Sequence, residues 1–177
     1  QLVLLVFAVV LPFVAIAAFR ARERATRTRA AVEERALAAA RLVRSRVADR
    51  VHAVRAVAAA AMPVVRMGPG ARAANDATLL DVRRAVGAAV PIANLWAFDA
   101  RGRVIGTSLR PLGPTLDTVT ATDRRYFREA MRTGRPSVGE PVLGRPIRGW
   151  SIAFGEPIVG ADGVPVGVVA ASVALGS

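Results

Sequence analysis

The stretch DRRYFREA, which begins at Asp123, places acidic, basic and aromatic side chains on the first turns of a predicted helix. An arginine at such a position can hold a carboxylate through two hydrogen bonds, and the N–H groups of the helix start already favour an anion. A tyrosine adds an apolar ring with one hydroxyl, which suits a cover over a small organic acid. We therefore expect Arg124 and Tyr126 to contact a ligand. The same pattern predicts a helix cap at Thr122 or Asp123.

Four side chains outside this stretch are further candidates for ligand contact. Trp150 and Ser151 open the strand that is expected to floor the pocket, although alternation along a strand directs them to opposite faces. Thr107 and Ser108 lie at the end of another predicted strand, where their hydroxyl groups can donate hydrogen bonds to an anion. Together with the two helix residues, these four make up the predicted ligand-binding set.

The candidate helix also contains residues with structural interpretations. Phe127 is expected to anchor the core, one helical turn from Arg124. Arg124 itself has a competing interpretation, which is an ion pair with Glu140 or Asp99 in place of a ligand.

The composition excludes several kinds of catalytic and metal site. The chain has no cysteine, which removes disulfides, thiol catalysis and cysteine-ligated metal. Its single histidine, His52, rules out histidine-pair metal sites and a Ser-His-Asp triad. Glu140 and Glu156 each precede a proline, and nothing pairs them as an acid and a base. We therefore predict a binding protein rather than an enzyme, with no catalytic residues, no metal site and no cofactor.

From residue 92 onwards the hydrophobic pattern is that of strands. It predicts strands over 92–99, 104–108, 137–144, 150–159 and 164–175, with the candidate helix inserted between the second and the third. Successive hairpins with one inserted helix describe an antiparallel sheet of about five strands packed on helices, which is an α+β fold. Another helix is predicted over 76–89, with Asp76 as its N-cap or first-turn acid.

Residues 1–19 carry no charge and are nearly long enough to span a membrane as a helix. The alternative is a signal peptide, with Ala15-Ile16-Ala17 as its cleavage site. We favour the transmembrane helix because the segment after it is predicted to remain helical. The chain starts at Gln1 rather than at methionine, which predicts a fragment of a longer protein.

Residues 20–62 are predicted to form a long juxtamembrane helix, because they are rich in alanine and arginine and contain no glycine or proline before Pro63. Apolar residues from Val32 to Ala58 recur at about the helical period and form one narrow stripe. Such a stripe suits packing against the sheet or against a partner helix, and it predicts a homodimer through the long helix. One folded domain is expected to cover residues 63–177.

The net charge of +12 raises nucleic-acid binding as an alternative. Most of that charge lies in the long helix beside the predicted membrane segment, where anionic lipid headgroups are the nearer partners. We therefore expect contact with the membrane and no nucleic-acid partner. Arg20, Arg22 and Arg24 favour a cytoplasmic side for this end of the membrane helix, whereas the residues after position 90 favour the opposite side.

Three stretches of the second half of the chain resemble the Cache domain of bacterial membrane receptors. They are LWAFDARGRVIGTS, DRRYFREAMRTGRPSVGEPVLG and GWSIAFGEPIVGADGVPVGVVAAS, and the resemblance covers about residues 90 to 177. The family shows a strand ending in D-x-x-G-x-V, then a D-R-x-Y-F helix, then strands with P-I, D-G and G-V-V-A. The ordered series is more specific than any one of its pieces.

The resemblance implies a PAS-like antiparallel sheet that lies outside the cytoplasmic membrane and reports a small ligand to a cytoplasmic output module. The implied localisation is the cell inner membrane, with a periplasmic or extracellular sensor domain of the single-Cache or double-Cache form. The amino-acid-binding branch carries R-x-W-Y in the matching helix, whereas this chain has Arg124, Tyr126 and Phe127. That departure favours a carboxylate or another small anion over an α-amino acid as the ligand. A cytoplasmic PAS-type module with a membrane anchor is the alternative.

Overall fold

The computed structural model describes residues 34–109, 119–144 and 149–176. The chain divides into two compact units, Gln1–Ala48 and Asp49–Ser177. Within the described ranges, no helix combines the length and the apolar character needed to cross a membrane. The predicted transmembrane helix at 1–19 lies outside those ranges and stays a prediction.

In the first unit, the described residues 34–48 are helical and exposed, in agreement with the predicted long helix. Two members of the apolar stripe, Val43 and Val47, are 60% and 56% exposed there. A homodimer through this helix stays a prediction.

In the second unit, the continuation of the apolar stripe is buried. Helix α1, residues 49–61, places Val54 and Ala58 in the core, where they are 2% and 0% exposed. A 3-10 turn at Met62–Val64 follows the helix. Pro63 ends the α-helix at this point because it has no backbone N–H to donate.

The next helix starts earlier than the sequence predicted. Helix α2 spans Arg72–Val86 and continues into a 3-10 turn at Gly87–Ala89, whereas the predicted helix covered 76–89. The predicted N-cap at Asp76 is therefore wrong, because Asp76 lies inside the helix. Its buried carboxylate accepts a hydrogen bond from the N–H of Thr107 at 2.7 Å. The helix extends towards the N-terminus because alanine and arginine are strong helix formers.

The remaining elements are β1 Asn94–Asp99, β2 Val104–Thr107, α3 Arg125–Thr133, β3 Ser137–Val138, β4 Val142–Leu143, β5 Trp150–Val159 and β6 Pro165–Ala174. The strands form one antiparallel sheet in the order β2-β1-β6-β5-β3, with β4 also paired to β5. The predicted α+β fold with a helix inserted between hairpins is thus confirmed. The sheet has six strands rather than about five, because the predicted strand over 137–144 is divided in two around Pro141, which cannot donate to a strand ladder.

Alternation along the strands gives the sheet two buried faces. One face packs on α1 and α2 through side chains such as Leu95 and Phe154. The opposite face packs on α3 through side chains such as Phe98 and Phe127, and Phe127 thereby takes the core position predicted for it. The sheet therefore separates α1 and α2 from the helix that carries the candidate ligand-binding residues.

The D-x-x-G-x-V motif builds the hairpin between β1 and β2. Asp99 accepts hydrogen bonds from the N–H groups of Arg101 and Arg103 at 2.9 Å each, and from the Arg103 guanidinium at 2.7 Å. Gly102 turns the chain with a φ of +73°, a value that residues with a side chain rarely adopt. The carbonyl of Gly102 also accepts the N–H of Ala121, which ties the hairpin to the loop before α3.

Replacing Asp99 with asparagine is expected to weaken the dependence of stability on acidic pH. Burial raises the pKa of Asp99, but the hydrogen bonds from Arg103 and Arg101 outweigh it and hold that pKa below its ordinary value of 3.8. Because the pKa of Asp99 is lower in the folded state, its ionised carboxylate stabilises the fold at pH values above the ordinary pKa. This stabilisation is lost as the pH falls through the folded-state pKa.

Urea denaturation of the parent and of Asp99→Asn, near pH 7 and near pH 2, measures this contribution. The variant should be less stable by about 1–2 kcal/mol near pH 7 and should lose less stability on acidification. Asp81→Asn is the control, because the side chain of Asp81 is 76% exposed. Equal losses on acidification in the parent and in Asp99→Asn would contradict the assignment.

Candidate ligand-binding site

A cavity of about 210 Å³ lies on the α3 face of the sheet. Four of the six residues that the sequence predicts as ligand contacts line it, namely Arg124, Tyr126, Trp150 and Ser151. The structure therefore brings the start of α3 and the start of β5 to one cavity.

Aromatic rings form much of the cavity wall. Trp96 and Phe98 stack on β1 with ring centroids 6.0 Å apart and an interplanar angle of 17°. Tyr126 meets Phe98 at 6.5 Å with a tilt of 49°. Trp150 borders the cavity and is 59% exposed, so it lies where the cavity meets solvent. The wall as a whole offers flat apolar surface to a bound molecule.

Helix α3 begins one residue later than expected. Its N-cap is Arg124, with an extended backbone (φ −89°, ψ 130°), so the cap predicted at Thr122 or Asp123 is wrong. The N–H of Arg124 bonds the carbonyl of Ala121 at 2.9 Å, which turns the loop into the helix. Within the described residues no side chain caps the first turn, and this helix end favours an anion. The helix ends at Gly134, whose φ of +61° is a left-handed value that glycine adopts readily.

The ring of Tyr126 is seated between Gly155 of β5 and Gly139, which directly follows β3. A Cβ atom at Gly155 would lie 3.0 Å from Tyr126 Cδ2, and one at Gly139 would lie 3.1 Å from Cδ1. The hydroxyl of Ser137 donates a hydrogen bond to the Tyr126 carbonyl, which attaches α3 to β3. The strand pattern therefore leaves room for one large ring at this position and fixes its plane.

The hydroxyl of Tyr126 is free to serve a ligand. In the described part of the chain, every fully buried side-chain N or O atom has a hydrogen-bond partner, whereas the Tyr126 hydroxyl has none. The hydroxyl must therefore open onto the cavity. Burial is the largest influence on the pKa of Tyr126 and raises it. The charge of Arg124 lowers this pKa and that of Asp123 raises it, and the net shift is upward. The phenol is thus neutral at physiological pH and can donate a hydrogen bond.

The side chain of Arg124 lines the same cavity, and its guanidinium is only loosely paired. Its Nε is 3.6 Å from Asp123 Oδ1, which is longer than a hydrogen bond, and its side chain is 21% exposed. Asp99 and Glu140 were the alternative ion-pair partners predicted for Arg124. Asp99 binds Arg103, and Glu140 is exposed to solvent. The donors of Arg124 therefore remain able to bind an anion.

Thr107 and Ser108, the other two predicted ligand contacts, do not line this cavity. They are 1% and 0% exposed and belong to a buried hydrogen-bond network. The amide of Asn94 donates to Thr107 Oγ1 at 3.0 Å, and Ser108 Oγ donates to Asn94 Oδ1 at 2.6 Å. The network fixes the end of β2 against β1, and a ligand role for these two hydroxyls stays a prediction.

Other residues line the cavity without having been predicted to contact a ligand, among them Trp96, Phe98, Thr120 and Ser172. Alternation could have grouped Trp96 with Phe98, since both lie on one face of β1. The position of Ser172 depends on its pairing with Asn94, and a strand register between distant segments has no local signal in the sequence.

No group of three or more His, Asp or Glu side chains that could hold a metal ion occurs among the residues the structure describes. The described lining of the site offers instead one cation, hydroxyl groups and aromatic rings. Such a set can bind an anion with an apolar body.

No protein-family model and no curated protein matches the sequence. Solved structures do share its fold. The ligand-binding domain of the amino-acid chemoreceptor PctC of Pseudomonas aeruginosa PAO1, in complex with GABA, matches with a TM-score of 0.51 at 19% identity, over 72% of this chain and 55% of that chain. The ligand-binding domain of the Campylobacter jejuni chemoreceptor Tlp3, in complex with 4-methylisoleucine, has a TM-score of 0.54 at 15% identity, over 73% and 51%. An extracellular ligand-binding receptor from Desulfohalobium retbaense DSM5692 has a TM-score of 0.53 at 18% identity, over 73% and 24%.

These likenesses show that the chain has the fold of chemoreceptor ligand-binding domains. The Cache resemblance of the three sequence stretches is thus confirmed at the level of the fold. The chain spans about half the length of the PctC and Tlp3 domains and about a quarter of the Desulfohalobium receptor.

Proposed function

We propose that this chain is the ligand-sensing part of a membrane receptor and that its cavity binds a small carboxylate or an amino-acid-like ligand. The observation that carries the proposal is the meeting of Arg124 and the unbonded Tyr126 hydroxyl in one cavity at the start of α3. The complexes of PctC with GABA and of Tlp3 with 4-methylisoleucine support a role in sensing small molecules.

In this proposal the guanidinium of Arg124 holds the carboxylate, and the hydroxyls of Tyr126 and Ser151 add neutral hydrogen bonds. Trp150 shields the ligand where the cavity opens. The sensor domain lies on the outer side of the cell inner membrane, anchored by the transmembrane helix at 1–19.

Signalling would then follow from closure of α3 over the ligand. Tyr126 packs on Gly155 of β5, and the next residue of that strand, Glu156, binds Arg55 of α1 on the opposite face of the sheet. A shift of α3 therefore has a direct route through one strand to the long helix. We propose that displacement of this helix, in a homodimer, carries the signal across the membrane.

Replacing Arg124 with alanine is expected to weaken ligand binding by at least about tenfold, since a hydrogen-bonded ion pair in a partly buried site contributes about 1.5–3 kcal/mol. Isothermal titration calorimetry of the full chain in detergent, against a panel of short carboxylates, GABA and neutral amino acids, measures the change.

Arg128→Ala is the matched control, because Arg128 is an exposed arginine of the same helix. It should bind every ligand as the parent does. The proposal fails if no member of the panel binds the parent, or if Arg124→Ala and Arg128→Ala bind with equal affinity.

A further inference from the structure

We propose that the ligand is a monocarboxylate with a compact apolar body, branched or bearing one ring, and without an ammonium group. The proposal rests on the function proposed above and specifies the chemistry of the same cavity. Three properties of the cavity carry it, namely its charge, the shape of its wall and its size.

Among the described lining residues of the cavity, the charge is that of one guanidinium. Arg124 is the charged residue among the described lining, and the other polar side chains there are the neutral hydroxyls of Thr120, Tyr126, Ser151 and Ser172. A carboxylate placed on Arg124 is neutralised. An α-ammonium on the same ligand would lie within a few ångströms of that cation, and no carboxylate of the described lining would offset the repulsion, which disfavours the charged amine.

Asp123 does not change this balance. Its carboxylate lies 3.6 Å from the guanidinium of Arg124 and is 46% exposed, so its charge is directed at Arg124 and largely screened by solvent. It also lies outside the described lining of the cavity. A ligand amine therefore has no carboxylate to meet at the described surface of the cavity.

The wall is shaped for a flat or branched apolar group. Trp96 and Phe98 present nearly parallel rings, and the ring of Tyr126 is inclined to Phe98 at 49°. The Cβ-free positions of Gly155 and Gly139 hold Tyr126 in that plane. A ring or an isopropyl group placed against these surfaces gains apolar contact, and a pair of aromatic rings contributes about 0.5–1.5 kcal/mol beyond its buried area.

The size of the cavity limits that group. An apolar protein cavity of about 150 Å³ is large enough to hold benzene. The present cavity of about 210 Å³ exceeds this by roughly the space of one small polar group. One ring or one branched chain with a carboxylate matches this volume.

Two ligand pairs that differ by the α-ammonium test the inference directly. 3-Methylbutanoate is compared with L-valine, and phenylacetate with L-phenylglycine, by calorimetry on the full chain. We expect each carboxylate to bind at least about tenfold more tightly than its amino counterpart. Phenylacetamide, which lacks the charge, should bind more weakly than phenylacetate.

For a second variant we expect the preference for carboxylates to change in the opposite direction. Ser151→Asp places a carboxylate at the half-buried edge of the cavity and should narrow or reverse the preference within each pair. The parent and Arg124→Ala serve as references, so the comparison of the two pairs stands even if this variant does not fold.

The outcomes separate the two proposals. Amino acids that bind the parent as tightly as their carboxylate counterparts, with a loss in Arg124→Ala, would overturn the ligand class and leave the sensing function in place. Absence of binding by both members of both pairs, together with no binding by the wider panel, would overturn the function itself. A tenfold preference for the carboxylates that disappears in Arg124→Ala supports both.

Discussion

Replacement of Asn75 by alanine is expected to lower the free energy of unfolding by about 3–4 kcal/mol, because it leaves several backbone groups without partners. Asn75 is 0% exposed. Its amide nitrogen donates to the carbonyls of Arg66 and Ile105 at 2.9 and 2.8 Å, and its amide oxygen accepts the N–H of Arg66 at 2.8 Å. Each of these bonds has a backbone group of Arg66 or Ile105 as its partner.

The effect is large because Asn75 completes the outer edge of the sheet. Strand β2 is an edge strand, and an uncovered edge leaves a row of unpaired backbone groups. The amide of Asn75 donates a hydrogen bond to the carbonyl of Ile105, and the carboxylate of its neighbour Asp76 accepts one from the N–H of Thr107. Gly106 lies between them, and a Cβ atom there would lie only 2.6 Å from the Cβ of Asn75. The helix can approach the edge this closely only because the strand has a glycine at that point.

Urea denaturation followed by circular dichroism measures the loss of stability. Thr78→Ala is the matched control on the same helix, since the hydroxyl of Thr78 bonds the carbonyl of Ala74 within α2. It should cost less than about 1 kcal/mol. A loss in Asn75→Ala no larger than in Thr78→Ala would show that the edge does not depend on this amide.

Asn75 also shows where prediction from the sequence ends. The strands with strong alternation and glycine turns were predicted well, and β5 has the predicted bounds, Trp150–Val159. The start of α2 was predicted too late because Asp76 has the local character of a helix cap or first-turn acid, whereas Asn75 and Asp76 both lie inside the helix. Their actual role is set by β2, some thirty residues further along the chain. A contact of that separation leaves no periodic or local signal in the sequence.

The candidate site was likewise predictable from the sequence only in part. Arg124 and Tyr126 were predictable because the chemistry of a helix start depends on neighbouring residues only. Their meeting with Trp96 and Ser172 depends on the order of β1, β6 and β5 in the sheet, which the sequence does not contain as a local pattern. Thr107 and Ser108 were predicted to reach a ligand as strand-end hydroxyls. The pairing of β1 with β2 buries them in hydrogen bonds with Asn94, and their contact with a ligand stays a prediction.

The second large effect is expected for Arg55→Ala, which should lower the free energy of unfolding by about 2–4 kcal/mol. Arg55 Nε donates to Glu156 Oε1 at 2.9 Å, and the glutamate side chain is only 6% exposed. Removing one partner of a buried ion pair leaves the other charge uncompensated, which costs about 3–5 kcal/mol when both are buried. The side chain of Arg55 is 41% exposed, so solvent reduces that figure.

The two partners should not be equivalent. Glu156→Gln keeps an oxygen that can accept the hydrogen bond of Arg55, and the freed cation is open to water, so this variant should lose less than about 1.5 kcal/mol. Arg50→Ala, at an exposed arginine of the same helix, controls for the general effect of removing such a side chain. Denaturation of the three variants under one condition ranks their losses in the free energy of unfolding. Equal losses in Arg55→Ala and Arg50→Ala would mean that the pair contributes nothing to stability.

This pair also bears on how the candidate site is connected to α1. Glu156 follows Gly155, the residue on which the ring of Tyr126 rests, and successive residues of a strand point to opposite faces of the sheet. A displacement of Tyr126 by a ligand would therefore move the same short segment of β5 that holds Arg55. If the pair is part of that connection, Arg55→Ala should leave ligand affinity within about twofold while removing the ligand-induced change in hydrogen exchange along residues 49–61. If α1 responded to the ligand as strongly without Arg55 as with it, the coupling would have to run through the apolar packing of Val54 and Ala58 on the sheet instead.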